Sequence, residues 1–277
     1  MQAKRKILIS CINYNTIDKL NEYLFSIESA FSKHQNNFEL EVLIGDNSQI
    51  FESVKLKSDK QGIKVKHIDN GGNFGYLGGV RKCLNEEGIE LKNYDFLIIS
   101  NVDVQISENF FSELWNLEIG KKVGWIAPSI FSQKEKRDRN PKIKVRPSVR
   151  KMRITQLFYK FPLLHFIYER MIYKNRKRIQ NSSFDKMKEI YAGHGSFMIF
   201  TKAFLEQWKD FVFPSFLFGE EIYFAELVRK ANLLTLYIPS LKVFDFDHAS
   251  TAKLRREKYY RYNFESVKRL TNLFFKK

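Results

Sequence analysis

Asp103 follows the apolar run Phe96-Leu97-Ile98-Ile99 after a short polar break, Ser100-Asn101-Val102. A carboxylate just past the end of a buried strand can hold a divalent metal against a phosphate, and ligands of open α/β sheets collect at that edge. Asn101 and Asp103 can equally make a turn and cap the helix expected after Ser107. A second pair, Glu220-Glu221, stands behind Gly219 at an expected helix start. A carboxylate there can take a proton from a hydroxyl, and neighbouring negative charge with the aromatic stretch Phe211–Phe218 can raise its pKa towards working pH. Adjacent acids in a first turn also suit the helix dipole. His248 lies beyond the end of an expected strand, placed either to ligate a metal such as manganese or to make a structural hydrogen bond.

These residues need a scaffold, and the pattern supplies one. A buried strand is expected over residues 6–13 (KILISCIN), followed by a helix to about Ser32 with apolar residues at Leu20, Leu24, Ile27 and Phe31. Leu40–Ile44 forms a second strand closed by Gly45-Asp46-Asn47-Ser48, and Ile63–Ile68 a third. Residues 71–79 then hold five glycines. Such a stretch lets backbone approach a ligand and aims amides at negative charge, or packs tightly on the sheet. It fits neither the phosphate-loop nor the dinucleotide fingerprint. The strand ending before Asp103, a helix over 107–117 and a strand over Val123–Ala127 continue the alternation. Further strands are expected over Phe197–Phe200, Leu233–Ile238 and Leu241–Phe246, with helices after Lys202 and from Gly219 to about Ala231. Alternating strands and helices predict an α/β protein with a doubly wound, mostly parallel central sheet.

Charge is unevenly distributed. The net charge is +16, yet Lys134–Arg178 carries 16 basic and three acidic residues and Lys253–Lys277 nine and two, leaving −4 for the rest. Two basic segments on a mildly acidic body suit an anionic surface better than a nucleic-acid groove, and no nucleic-acid motif accompanies them. Within residues 133–188, bulky apolar and aromatic residues from Ile154 to Tyr173 are flanked on both sides by Lys and Arg. Two short amphipathic helices broken at Pro162 would meet an anionic membrane, or the segment packs on the body as a basic helical insertion. Two cysteines without paired spacing, Cys11 and Cys83, point to a reducing cytoplasm. No apolar stretch has the length of a membrane-spanning helix.

Taken in order, Asn13-Tyr14-Asn15, Gly45-Asp46-Asn47-Ser48, the segment Asn73–Arg81, Asn101-Val102-Asp103-Val104, Gly219-Glu220-Glu221 and His248 resemble the motifs of the family 2 glycosyltransferases, in particular their rhamnosyltransferase-like branch. The resemblance spans about residues 5 to 250 and implies the GT-A fold, in one domain over 1–252 with a basic aromatic tail over 253–277. It implies an inverting, metal-assisted transfer from a nucleotide-diphosphate sugar, UDP- or dTDP-linked, to a glycan or lipid-linked glycan of a bacterial surface polysaccharide. It places the protein in the cytoplasm, at the inner face of the plasma membrane.

Residue by residue, the resemblance puts Asp46 against the nucleobase or ribose, with Asn13, Tyr14 and Asn47 in the same slot. Asn73 and Gly75 lie beside the diphosphate and sugar, with Asn101 and Asp103 completing the donor side. Asp103 and His248 would hold Mg²⁺ or Mn²⁺; Asn101 stands where the family commonly has a first aspartate. Glu221 is the expected base, Glu220 orients the acceptor or its neighbour, and His194 and Gly195 shape the acceptor side. Two other readings fit the same chain. A sugar nucleotidyltransferase would carry a glycine-rich basic signature after the first strand, where Asn13-Tyr14-Asn15 stands instead. A non-catalytic, membrane-associated relative of the transferases is favoured by Asn101 and opposed by Asp103, Glu221 and His248.

Overall fold

The computed structural model describes residues 3–52, 54, 62–164, 166, 186–208, 210–246 and 255–276. Strands β1 (Arg5–Asn13), β2 (Phe38–Asp46), β3 (Ile63–Asp69) and β4 (Phe96–Ser100) pair in parallel in the order β3-β2-β1-β4. The sheet continues through β9 (Phe197–Thr201), β6 (Val123–Ser132), β10 (Leu234–Asp245) and β5 (Val104–Ile106). Two short strands, β7 (Arg137–Asp138) and β8 (Lys188–Ile190), pair off this path with β6 and β10. Strands β3, β2, β1, β4, β6 and β10 point one way; β9 and β5 run against them. The expected mostly parallel α/β sheet is therefore present.

The central strand is buried on both faces, as its run of apolar residues requires. Phe96 and Ile98 enter one core, with Phe31 of α1 (Ile17–Phe31) and Phe110 and Phe111 of α3 (Phe110–Asn116). Leu97 and Ile99 enter the other. That second core includes Leu77 and Val80 of α2 (Tyr76–Glu86), Phe204 of α5 (Lys202–Leu205), Phe224 of α6 (Glu220–Lys230) and Leu270 of α7 (Arg256–Phe274). Each large side chain so enclosed contributes roughly 1.5–3 kcal/mol, enough to fix the register of every strand that carries the site.

Chain order sets the site's location. From β1 the chain winds outward to β2 and β3, then returns to place β4 on the other side of β1. The carboxyl ends of β1 and β4 thus form the switch point where a doubly wound sheet opens a crevice. Asn13 closes β1 and Asn101 leaves β4 at that crevice.

Several boundaries differ from the sequence expectation. The strand over Phe197–Thr201 lies antiparallel between β4 and β6, because an apolar run carries no signal of direction. The two closing strands are one, β10, whose register shift between Ile238 and Lys242 absorbs Pro239. The helix after Ser107 is limited to Phe110–Asn116, and β5 and β8 are too short to show a period.

The segment expected as an insertion is stitched to the body over its first part. Ile143 bridges to Ala192. Arg146 donates to both Glu226 oxygens (2.7 and 3.2 Å) and to the Phe274 carbonyl (3.0 Å), and stacks on Phe275. Helix α4 (Val149–Lys160), capped by Ser148, packs along α7. Residues 167–185 lie outside those described. The basic tail expected over 253–277 is mostly α7, and its Val267 and Leu270 join the second core. Among the described residues no helix is long and apolar enough to cross a membrane.

Candidate active site

At the end of β2, Asp46 is almost wholly buried and its carboxylate is occupied by the chain itself. Oδ1 accepts from the Ser48 amide (2.8 Å); Oδ2 accepts from Asn13 Nδ2 (2.9 Å) and faces His67 Nε2 (3.0 Å). The Val54 amide donates to His67 Nδ1 (3.2 Å), so the neutral ring carries its proton on Nε2 and gives it to Asp46. Burial raises the Asp46 carboxyl, but hydrogen bonds from His67, Ser48 and Asn13 outweigh it and hold the pKa at about 2. Asn13 Oδ1 in turn accepts from the Thr16 amide (3.2 Å) and hydroxyl (2.9 Å), which starts α1 in the absence of a cap from Thr16. Asp46 and Asn13 thus shape this corner from beneath. Tyr14 is exposed beside it, and Phe51 stacks on His67 with ring centroids 4.7 Å apart.

Asn47 ties this corner to the glycine-rich loop. Its Nδ2 donates to the Gly75 carbonyl (2.9 Å) and reaches Asn73 Oδ1 (3.4 Å), while its Oδ1 accepts from Asn70 (2.8 Å). Gly75 has φ +74° and ψ −174°, a conformation reserved for glycine, and a Cβ there would lie 2.1 Å from the Phe216 carbonyl oxygen. Of the two uses for this loop, tight packing is the one visible at Gly75. Asn73 remains exposed, with Oδ1 accepting from the Gly75 amide (2.9 Å).

The acid pair opens α6. Gly219, at φ +88°, lets the chain turn into the helix where Ser266 of α7 comes within 2.4 Å of a would-be Cβ. Glu220 lies against Gly195, whose Cβ would meet Glu220 Cγ at 2.5 Å, and Tyr76 donates its hydroxyl to the Gly195 carbonyl (3.2 Å). Burial first, then the Glu221 charge, push the Glu220 carboxyl well above its ordinary range. Glu221 is mostly enclosed and faces Lys142 Nζ at 3.8 Å. His194 accepts from the Ser196 amide at Nδ1 (3.2 Å), and its own amide donates to Asn140 (2.8 Å). Burial and the cations Lys142, Arg139 and Arg137 hold its imidazole neutral well below the usual histidine range.

Asp103 sits three residues past β4, next to β5. The Asn101 amide donates to Ser196 (2.9 Å), which fastens this turn to the histidine loop. Burial and the charge of Asp245 raise the Asp103 carboxyl; Asn101 and Arg139 oppose the shift. Asp245, buried at the end of β10, is held by Arg139 at 2.8 Å. Two carboxylates crowding one another are an environment that a cation would relieve, so Asp103 fits a divalent metal as a ligand. Among the described residues no three His, Cys, Asp or Glu side chains converge on a metal position, and His248 lies outside those described.

The two sides meet at Tyr76. Burial raises its phenol far above the ordinary value, followed by the charge of Glu220 and, more weakly, that of Asp103. Asp46, Asn47, Asn73 and Gly75 are joined through α2 to Gly195 and to the Glu220 packed on it, and the Asp103 turn reaches the same loop through the Asn101–Ser196 bond. Sequence reasoning did not single out Tyr76, His67, Arg139, Lys142 or Asp245. Tyr76 stood in view inside the glycine-rich segment, whereas a lysine and an arginine among 47 basic residues give no signal of their own.

This architecture is the GT-A fold of glycosyltransferases. Two similar solved structures are GalNAc-T7 with UDP, GalNAc and Mn²⁺, and S. aureus TarS. The first has a TM-score of 0.56 at 11% identity, covering 90% of this chain and 45% of the other. The second has a TM-score of 0.52 at 14% identity, covering 97% and 44%. The chain therefore spans less than half the length of either, and at such identities the likeness is one of fold. No protein-family model and no curated protein matches the chain.

Proposed function

We propose that the protein is an inverting glycosyltransferase of the family 2 type, moving a sugar from a UDP- or dTDP-sugar to a glycan or lipid-linked glycan acceptor of a bacterial surface polysaccharide. The observation that carries this reading is the meeting, on a GT-A sheet, of the acid pair and the Asp103 turn at one loop: Glu220 lies against Gly195, Tyr76 donates to the Gly195 carbonyl, and the Asn101 amide donates to the Ser196 carbonyl. A general base and a phosphate-side carboxylate are the two charges such a transfer needs on opposite sides of one sugar. The rhamnosyltransferase-like branch remains the reading favoured by Asn101 beside Asp103.

Tyr14 and Phe51 offer exposed rings for the nucleobase beside the Asp46 corner, and Asn73 offers its side chain to the diphosphate. Asp103 would hold a divalent metal, which when bound neutralises charge on the diphosphate. Glu221, which faces Lys142 across 3.8 Å, takes the acceptor hydroxyl proton. The acceptor oxygen forms its bond to the anomeric carbon as the bond to the phosphate oxygen breaks, and that oxygen leaves with the electron pair. Glu220, with its raised pKa, is protonated through more of the neutral range and donates a hydrogen bond to the acceptor or sugar. The enzyme would work at the cytoplasmic face of the plasma membrane, meeting the anionic surface through its basic segments.

The test is a panel of nucleotide sugars with and without Mn²⁺, read by thermal stabilisation and by donor hydrolysis. One or more UDP- or dTDP-sugars should raise Tm, with the metal increasing the shift and Asp103→Ala abolishing the metal's share. Glu221→Gln should retain the donor-induced shift and lose transfer by about 10²–10⁴-fold. Full transfer by Glu221→Gln would remove Glu221 from the role of base, and no response to any nucleotide sugar would reject the transferase reading.

A further inference from the structure

Helices α4 and α7 enclose a groove of about 470 Å³ away from the acid pair. Its lining includes Tyr159 and Lys160 from α4 and Arg256, Tyr260 and Arg261 from α7, with Glu257 the one acid. The cations are held over rings instead of by carboxylates: Arg256 stands 5.8 Å from the Tyr260 centroid, Arg261 5.2 Å from Tyr262 and Lys160 5.5 Å from Phe161. Among the described residues none of the three makes an ion pair. Such an arrangement fixes three positive charges around an opening without neutralising them.

The outer face of the same segment is apolar. Met152 is buried beneath α4, and Tyr159 packs on Tyr259 and Tyr260. Ile154, Leu157 and Phe161, spaced three and four apart, form the opposite stripe, and all are exposed. Leu163, Leu164 and Phe166 extend it, with Leu163 71% exposed. Single exposed apolar residues are ordinary; six within thirteen positions, beside Arg150, Lys151 and Arg153, form a patch. Aliphatic side chains do not suit a nucleic acid, and a small soluble anion would leave them in water.

We infer that this surface is a membrane-docking site in which the phosphate of an anionic phospholipid enters the α4–α7 groove while the Ile154–Phe166 stripe enters the interface between headgroups and acyl chains. The charges supply attraction to the anionic leaflet and the stripe supplies buried apolar area. Helix α7 also carries the support of the acid pair, since Ser266 donates to the Phe218 carbonyl and Tyr262 stacks on Phe216. Docking through α7 would therefore hold the α6 end of the crevice at a fixed height above the lipid. This deepens the membrane contact in the proposed function and rests on that contact alone.

The test is sedimentation of the full chain with vesicles of phosphatidylcholine, with and without phosphatidylglycerol, in the absence of any nucleotide sugar. Binding should require phosphatidylglycerol and weaken with salt. The double variant Arg256→Gln/Arg261→Gln should bind about thirtyfold more weakly, from the usual contribution of a cation near such a surface. Leu157→Glu/Leu163→Glu should also lose binding, and because both positions are exposed its circular dichroism and Tm should match the wild type. Equal binding to both vesicle types, or wild-type binding by either variant, would overturn the inference. Displacement by millimolar inorganic phosphate at constant ionic strength would also overturn it, by making the groove a site for the soluble anion. Glu221→Gln should sediment like the wild type, so failure of the transferase reading and failure of this one give different results.

Discussion

The two sides of the crevice are built on opposite principles. On the β1–β2 side, Asp46, Asn13, Asn47, Asn70 and Ser48 are buried and bonded to one another, and the Asp46 carboxyl is held at about 2 by its donors. On the α6 side, Glu220 is pushed up by burial and a like charge, Glu221 has a lysine at 3.8 Å, and His194 is held neutral by burial and then by surrounding cations. A saturated network fixes shape and has little left to give a ligand. Crowded charges are poised to change protonation, which is where proton transfer belongs. Under the proposed function the first side is a mould and the second the reaction surface, a division that can be attacked one residue at a time.

The largest effect is expected where mould and reaction surface touch. Gly75→Ala places a methyl group against the Phe216 carbonyl and forces an L-residue into a glycine-only conformation. The cost is on the order of 4 kcal/mol, the sum of backbone strain and overpacking. Thermal denaturation should show a clear loss of Tm and of any donor-induced shift. A variant as stable as the wild type would mean that the loop and the 211–219 segment are not held together at this point.

Asp46→Asn probes the mould itself and should cost about 2–3 kcal/mol, because a charged acceptor of three hydrogen bonds becomes a neutral group with one acceptor oxygen. The wild type carries a pH signature of the same residue. Its folded pKa, about 2, lies below the unfolded value near 3.8, so the contribution is fully present above 3.8 and is lost as pH falls towards 2. The amount is about 2 kcal/mol. Urea unfolding across that window should lose this increment in the wild type, and the variant should lack it. Parallel acid limbs in the two proteins would show that Asp46 is not the group responsible.

Much of this contrast was legible beforehand, but not all of it. The run Phe96–Ile99 announced a strand buried on both faces, and the Gly219-Glu220-Glu221 order announced a helix beginning with two acids; both are present. Direction was hidden, since β9 reads the same parallel or antiparallel. The resemblance directed attention to Asp46 as a nucleobase ligand, whereas the folded chain surrounds its carboxylate with Asn13, Ser48 and His67. Only His67, 21 residues further on, makes that clear, and a lone histidine in the strand Ile63–Asp69 carries no hint of its partner. Lys142 was hidden for a related reason: one cation in a strongly basic segment looks like its neighbours until the fold brings it to Glu221.

The smallest effect, and the finest test of the reaction surface, is Lys142→Gln. Lys142 is 43% exposed at its side chain, so water screens much of its field and no large loss of stability should follow. Its charge nevertheless lowers the Glu220 carboxyl and faces Glu221 across 3.8 Å. Removing that charge favours the protonated form of the acid pair, so the acid limb of the rate profile should move to higher pH by on the order of half a unit. The rate on the alkaline side of that limb, where the base is ionised in both proteins, should change far less. Arg229→Gln is the matching control, because Arg229 pairs with Glu226 inside α6 and its loss should leave the limb in place while lowering Tm. If Lys142→Gln and Arg229→Gln move the limb equally, the field at the acid pair comes from the protein's general positive charge, and the local pairing with Lys142 has no part in setting when the base is ready.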